Sequence, residues 1–181
     1  AVQSATWEGG WPQTIGEFER LVGVFQDRLV RYAFRRLSDF HEAEDVAQEV
    51  FVRAYAERER LKTIARVGPY LYRMAANLCT DILRKRRTGV VPFDDPEVQE
   101  IPTTCPNGSE VASAAEELRR IETTLSRLPH RQAEVIRLRV FDELRLGEIA
   151  EVLRCPLATV KSRFRYGLEK LRAIVLREWR E

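Results

Sequence analysis

Residues Arg145 to Arg172 read RLGEIAEVLRCPLATVKSRFRYGLEKLR, a short apolar-faced helix, a tight turn and a second helix rich in Lys and Arg. In the first helix Ile149, Ala150, Val152 and Leu153 recur at the spacing that lines one face of a 3.6-residue turn. That face needs a partner. The second helix offers one through Val160, Phe164, Leu168 and Leu171, leaving Thr159, Lys161, Ser162, Arg163, Arg165 and Tyr166 to face outward. The pattern is a helix-turn-helix, and its cationic second helix suits a DNA major groove.

The formal net charge is only +2 over 181 residues, so any nucleic-acid affinity must come from segregated charge. Segregation is present. Between Thr88 and Leu118 there is no Lys or Arg, while Asp94, Asp95, Glu97, Glu100, Glu110, Glu116 and Glu117 all fall there, and both flanks are basic. Apolar runs fall well short of the roughly 20 residues that span a bilayer, so no membrane insertion is expected and the chain reads as cytoplasmic. Cys79, Cys105 and Cys155 are scattered singly, and His41 and His130 are not placed to complete a metal set, so no metal or cofactor is expected.

Helical periodicity extends along most of the chain. Phe18, Leu21, Val22, Phe25, Leu29 and Tyr32 mark one amphipathic helix; Ala43, Val46, Ala47, Val50, Phe51, Ala54 and Tyr55 mark a second. After a looser stretch ending in Gly68-Pro69, Tyr70, Leu71, Met74, Leu78 and Ile82 predict the inward face of a third, which ends in Arg84, Lys85, Arg86 and Arg87. Pro92, Pro96, Pro102 and Pro106 then resist regular structure. Helices resume with Leu118, Ile121, Leu125 and Leu128, stopped by Pro129, and with Val135, Ile136, Leu138 and Val140; the last helix is expected to continue through Ile174, Val175 and Trp179. No β alternation appears. The expected fold is all-α: a flexible leader (1–14) holding Trp7 and Trp11, a helical domain (15–87), an irregular acidic linker (88–110), disordered when unbound, and a second small helical domain (111–181) with the helix-turn-helix.

A lone helix-turn-helix fits many regulators, but two further blocks narrow the field. His41 to Tyr55, HEAEDVAQEVFVRAY, and Tyr70 to Arg87, YLYRMAANLCTDILRKRR, resemble region 2 of the sigma-70 family, in the form carried by its short extracytoplasmic-function members. Leu128 to Arg172 is similar to their region 4. The resemblance covers roughly Glu17 to Arg177 and implies a non-enzymatic initiation subunit with no catalytic residues. Such a subunit binds core RNA polymerase, directs it to a promoter and helps melt the DNA without hydrolysis. Its implied partners are the clamp helices of the largest polymerase subunit, the flap of the second-largest, promoter DNA and an anti-sigma protein.

By the same resemblance Asp45, Gln48 and Glu49 dock on the clamp helices; as an isolated helix face they also read as solvated, paired with Arg53. Asn77 holds a base extruded from the minus-ten element, cupped by a loop of Leu61, Lys62, Thr63 and Ile64, with Tyr70 positioned to stack although the ring also reads as core. Arg84, Lys85, Arg86 and Arg87 contact phosphates, with Arg73 a further candidate. In the minus-thirty-five reader, Lys161, Ser162, Arg165 and Tyr166 approach bases or nearby backbone, and Thr159 and Arg163 favour phosphate. Asp94, Asp95, Glu97 and Glu100 suit a linker that mimics nucleic acid in a basic channel. Many relatives carry Gly near Glu143 and Arg154. Here Arg154-Cys155-Pro156 must turn without it.

Two other functions fit parts of the pattern. A conventional two-domain regulator would bind duplex specifically on its own, and a site-specific recombinase would need an activated nucleophile. Ser38, Ser109, Ser113 and Ser126 form no such cluster in the sequence.

Overall fold

The computed structural model describes Trp7, residues 10–87 and residues 120–178. Expectations for the acidic linker, for Leu118 and for Trp179 lie outside these residues. Every regular element among the described residues is a helix, and the chain divides into two compact units.

The first unit holds α1 (Ile15–Leu37), α2 (Phe40–Ala56), the single turn α3 (Arg58–Leu61) and α4 (Val67–Arg87). Thr14 caps α1, its hydroxyl accepting from the Glu17 N–H at 3.2 Å, and the Glu17 carboxylate accepts from the Gln13 N–H at 2.7 Å. At the other end Ser38 takes a left-handed conformation, φ 56°, and its N–H returns to the Phe34 carbonyl. The next residue, Asp39, immediately caps α2 by accepting from the Glu42 N–H at 2.8 Å. This two-residue joint folds α2 back along α1.

Leu21, Phe25, Leu29 and Tyr32 from α1 and Ala43, Val46, Ala47, Val50 and Ala54 from α2 are buried, as their spacing predicts. Each large side chain removed from water contributes about 1.5–3 kcal/mol. α4 packs on both helices, but not in the expected register. Its buried residues are Val67, Pro69, Leu71, Tyr72, Ala75, Ala76 and Cys79, whereas Tyr70, Met74, Leu78 and Ile82 are only half-buried. The expected stripe followed bulk, but small side chains let α4 approach its neighbours and face inward. Tyr72 meets Tyr32 edge-on, ring centroids 5.4 Å apart.

Two further expectations for this unit are corrected. Trp11 is not part of a loose leader: it is 3% exposed and packs beside Phe18, centroids 6.5 Å apart. Arg86, grouped above with phosphate-binding cations, is an internal tie. Its Nη2 pairs with Glu42 Oε2 at 2.6 Å and its Nη1 donates to the Leu37 carbonyl at 2.9 Å, fastening the end of α4 to the α1–α2 joint.

The second unit holds α5 (described over 120–126), α6 (His130–Val140), α7 (Leu146–Leu153) and α8 (Leu157–Glu178). Leu125, Leu128, Ala133 and Ile136 form a small core, against which Phe141, Phe164, Leu171 and Ile174 pack. Arg137 Nε bonds Glu122 Oε2 at 2.9 Å, tying α6 to α5.

Ile121 and Leu168, expected inside, are exposed, Leu168 by 41%. The inward line of α8 runs Val160, Phe164, Gly167, Leu171, Ile174, with glycine where the eye expects leucine. The reason is contact distance. A Cβ on Gly167 would sit 2.7 Å from Ile136 Cδ1 and 3.4 Å from Gln132 Cβ, so a side chain here would have to displace the tip of Ile136 from the α6–α8 contact.

Candidate nucleic-acid interface

Three outward faces carry the residues singled out from the sequence. The first is on α2. Asp45 and Gln48 are exposed and Glu49 half-exposed, on the side opposite buried Val46 and Val50. Glu49 Oε1 pairs with Arg53 Nε at 2.5 Å, so the intrahelical pair and the acidic face coexist. The same face continues to Val52, 63% exposed one turn after Gln48. Val52 falls outside the apolar stripe of this helix and carries no polar group, so the sequence offered no signal that singled it out.

The second face joins the α3–α4 loop to α4. An N–H of Ile64 donating to the Leu61 carbonyl at 2.9 Å closes the loop, and the Leu61 side chain is buried, anchoring the loop rather than lining its outer surface. Lys62 and Thr63 are exposed and Ile64 half-buried. Lys62 Nζ holds Glu59 Oε2 at 2.6 Å, and this neighbour keeps the Glu59 carboxyl below its ordinary value.

From the loop, Tyr70, Arg73, Asn77 and Arg84 follow at steps of three, four and seven residues on one side of α4, the first two half-buried and the others exposed. Tyr70 is anchored at its far end, where its hydroxyl donates to Glu57 Oε2 at 3.4 Å. Arg73 lies over its ring, 5.0 Å from the centroid. Burial, then the Glu57 charge, pushes the Tyr70 phenol above its usual value and keeps it a neutral donor.

Asn77 is exposed on the same side of α4, one turn beyond Arg73, with amide donors and acceptor able to meet a base edge. Arg84 pairs with Asp81 at 3.1 Å, and Lys85 is exposed beside it. Arg87 ends α4, but its side chain lies outside the described residues. Arg60, omitted by the sequence reading, is close enough to Tyr70 to act on its phenol. Its one clue was proximity in sequence to the loop.

The third face is the helix-turn-helix. Glu148 reaches back to the Arg145 N–H at 2.7 Å and opens α7. Glu143 and Arg154 both adopt the left-handed conformation, φ 57° and 48°, at the two places where the turn was expected to lack glycine's freedom. After Arg154 the Cys155 N–H bonds the Ala150 carbonyl, and Pro156 starts α8 by accepting from Thr159 and Val160.

On α8, Lys161, Arg165 and Tyr166 face outward. Thr159, Ser162 and Arg163 are half-buried: the Ser162 hydroxyl donates to the Thr159 carbonyl at 2.9 Å, and Arg163 Nη1 lies 3.7 Å from Cys155 Sγ. Leu157 is also exposed, at the helix start. Elsewhere, Cys79 is buried and its thiol is lifted to about 11 by desolvation. Among the described residues no three His, Cys, Asp or Glu side chains gather as metal ligands, and no helix is long and apolar enough to cross a membrane.

Residues 21–88 match the family model for sigma-70 region 2, and residues 124–173 match that for sigma-70 region 4. The chain is 33% identical over 164 residues to the ECF RNA polymerase sigma factor SigW of Bacillus subtilis, covering 86% of this chain and 87% of that one. It is 30% identical over 171 residues to the RNA polymerase sigma-H factor of Pseudomonas aeruginosa, covering 89% of each. Among solved structures it resembles the sigma factor RpoE of Bartonella quintana, in complex with the anti-sigma factor NepR, with TM-score 0.66 at 18% identity over 89% of this chain and 98% of that one.

Proposed function

The chain belongs to the sigma-70 family, in its extracytoplasmic-function group, and is a transcription initiation factor; from that premise we propose how its three faces divide the work. The Asp45, Gln48 and Glu49 face of α2 docks on the clamp helices of the largest polymerase subunit, and the second unit meets the flap of the second-largest. Asn77, flanked by Tyr70 and Arg73 and bordered by the Lys62–Ile64 loop, holds a base extruded from the minus-ten element. Arg84, Lys85 and Arg87 follow the backbone there, and Leu61 supports the loop from beneath. Lys161, Arg165 and Tyr166 meet the minus-thirty-five duplex, with Thr159, Ser162 and Arg163 along its backbone.

The observation that carries this reading is the presence of region 2 and region 4 in order within one chain, each with a polar face turned outward over a helical core. Separately, each face would bind weakly. Mounted together on polymerase, the two DNA faces act at high effective concentration on one promoter. Melting then draws on binding energy, since a held base offsets the few kcal/mol that unstacking costs, on the order of one or two good contacts. The chain makes and breaks no covalent bond, and it acts in the cytoplasm. We also propose regulation by a protein that covers these faces, as the anti-sigma factor accompanies the RpoE structure.

Gel filtration with purified core polymerase, followed by transcription from a cognate promoter, tests the proposal. The intact chain should co-elute and start RNA at a fixed position. Replacing Asp45, Gln48 and Glu49 together by Ala should abolish co-elution while leaving the melting temperature within a few degrees. Unchanged co-elution would refute the docking assignment.

A further inference from the structure

Arg165 and Tyr166 are adjacent in sequence, both exposed on α8, and yet joined at two points. The guanidinium lies over the Tyr166 ring, 4.8 Å from its centroid, and Nη2 donates to the Tyr166 hydroxyl at 3.0 Å. Glu169, one turn further along, holds Nε at 3.9 Å as an ion pair. A long exposed side chain would otherwise sample many rotamers. Here the ring, its hydroxyl and a carboxylate at one side narrow the orientations open to the guanidinium.

The edge that these contacts use matters. The tyrosine hydroxyl and Glu169 engage the Nη2 and Nε side of the fork. Nη1 takes part in neither contact, so the Nη1–Nη2 end can present two parallel N–H donors in a rigid fork. Two adjacent acceptors in the major groove match it. Guanine presents O6 and N7 in that arrangement, whereas adenine pairs an acceptor with a donor and thymine offers one acceptor beside a methyl. Lys161, an exposed point cation one turn earlier, has no planar fork to make the same distinction.

Resting on the reading of α8 as the minus-thirty-five helix, we infer that Arg165 reads a guanine in that element, and that Tyr166 and Glu169 are positioning residues that pre-set its guanidinium. Tyr166 then acts chiefly through Arg165 rather than through a base of its own. Side-chain packing does not depend on the trio, because all three are exposed, so substitutions leave the fold intact.

The test uses holoenzyme reconstituted from core polymerase and the full chain, transcribing a promoter library randomised across the minus-thirty-five element, with transcripts sequenced. The wild type should enrich guanine at one position. Arg165→Lys should lower that enrichment about tenfold, within the discrimination of a bidentate base contact, while preferences at other positions persist. Tyr166→Ala should lower the same position's enrichment several-fold, and Tyr166→Phe, which keeps the ring, should restore most of it. Glu169→Gln should give a smaller loss at that position alone.

If the wild type shows strong preferences that Arg165→Lys leaves unaltered, the guanine assignment fails while the reading of α8 stands. If Arg165→Lys acts but Tyr166→Ala does not, the positioning role fails. If the wild type is indifferent to the whole element, the assignment of α8 itself falls, and the inference with it.

Discussion

α4 and α8 each place an arginine over a tyrosine on an outward face, at 5.0 Å and 4.8 Å, but the anchoring is reversed. On α4 the ring is the fixed partner, tied through its hydroxyl to Glu57 from outside the helix. On α8 the guanidinium is the constrained partner, held by neighbours of its own helix. A pocket for an extruded base needs walls that do not move, and walls come from other elements of the bundle. Reading a closed duplex needs one oriented fork on a helix that fits the groove.

The packing beneath follows the same division. The first unit sets α4 against two long helices over buried aromatics, so its removal of core volume should cost most. Tyr72→Ala is expected to destabilise the chain by about 3–5 kcal/mol, through the cavity and lost transfer energy of a fully buried ring. Urea denaturation read by fluorescence and circular dichroism checks it. A loss under about 1 kcal/mol would mean that α4 is far less tightly seated than described.

The second unit depends instead on close approach. Gly167→Val is expected to cost about 1–3 kcal/mol by driving the α6–α8 contact apart. Because the nearest atom is the tip of the Ile136 side chain, a paired Ile136→Ala should recover part of the loss. Recovery in a double-mutant cycle would tie the effect to this contact.

Cations at the end of α4 sharpen the contrast between fastening and binding. Arg86→Met should cost about 1.5–3 kcal/mol in stability, the range for a hydrogen-bonded charged group, with little change in the salt dependence of promoter binding. Lys85→Ala should behave oppositely, leaving stability intact and reducing the salt slope by about 0.7–0.9. Interchanged results would return Arg86 to the phosphate-binding set.

A smaller gain is expected at the helix-turn-helix. Arg154→Gly should stabilise the second unit by about 0.5–1 kcal/mol, the left-handed strain relieved less the entropy glycine adds to the unfolded chain. Thermal melts of the variant decide it.

The pH dependence is smaller still near neutrality. The Cys79 thiol is lifted from 9.0 to about 11, so its contribution is complete below pH 9 and is lost as pH rises toward 11. Tyr70, also shifted upward, acts in the same direction at pH above 10. Cys79→Ser should flatten the part of the stability profile between pH 9 and 11.

How much of this could be read from sequence follows from what carries the signal. α1 and α2 bury large residues at helical spacing, and their faces were legible from Leu21, Phe25, Leu29, Val46 and Val50. α4 and α8 use Ala75, Cys79 and Gly167 at their closest contacts, where spacing between helices rather than hydrophobicity selects the residue. Periodicity weighted by bulk therefore settled on Met74, Leu78 and Leu168, one position away from the line that is inside. Trp11 looked like leader because the helix it supports begins only at Ile15. Arg86 shares its charge with its neighbours, and its role depends on where Glu42 and the Leu37 carbonyl fall in space. The outward residues Asp45, Gln48, Asn77, Lys161 and Arg165 were easier, since polar side chains opposite a core have few other places to go.

Permanganate reactivity of the minus-ten thymines, in a complex of core polymerase, this chain and a cognate promoter, tests the division between a base-holding α4 and a duplex-reading α8 most directly. The intact chain should render those thymines reactive; Asn77→Ala should bind the promoter yet leave them largely protected, and Arg165→Lys should reduce occupancy while preserving reactivity in the complexes that form. Thymines that open equally with Asn77→Ala, or stay paired with the intact chain bound, would contradict it.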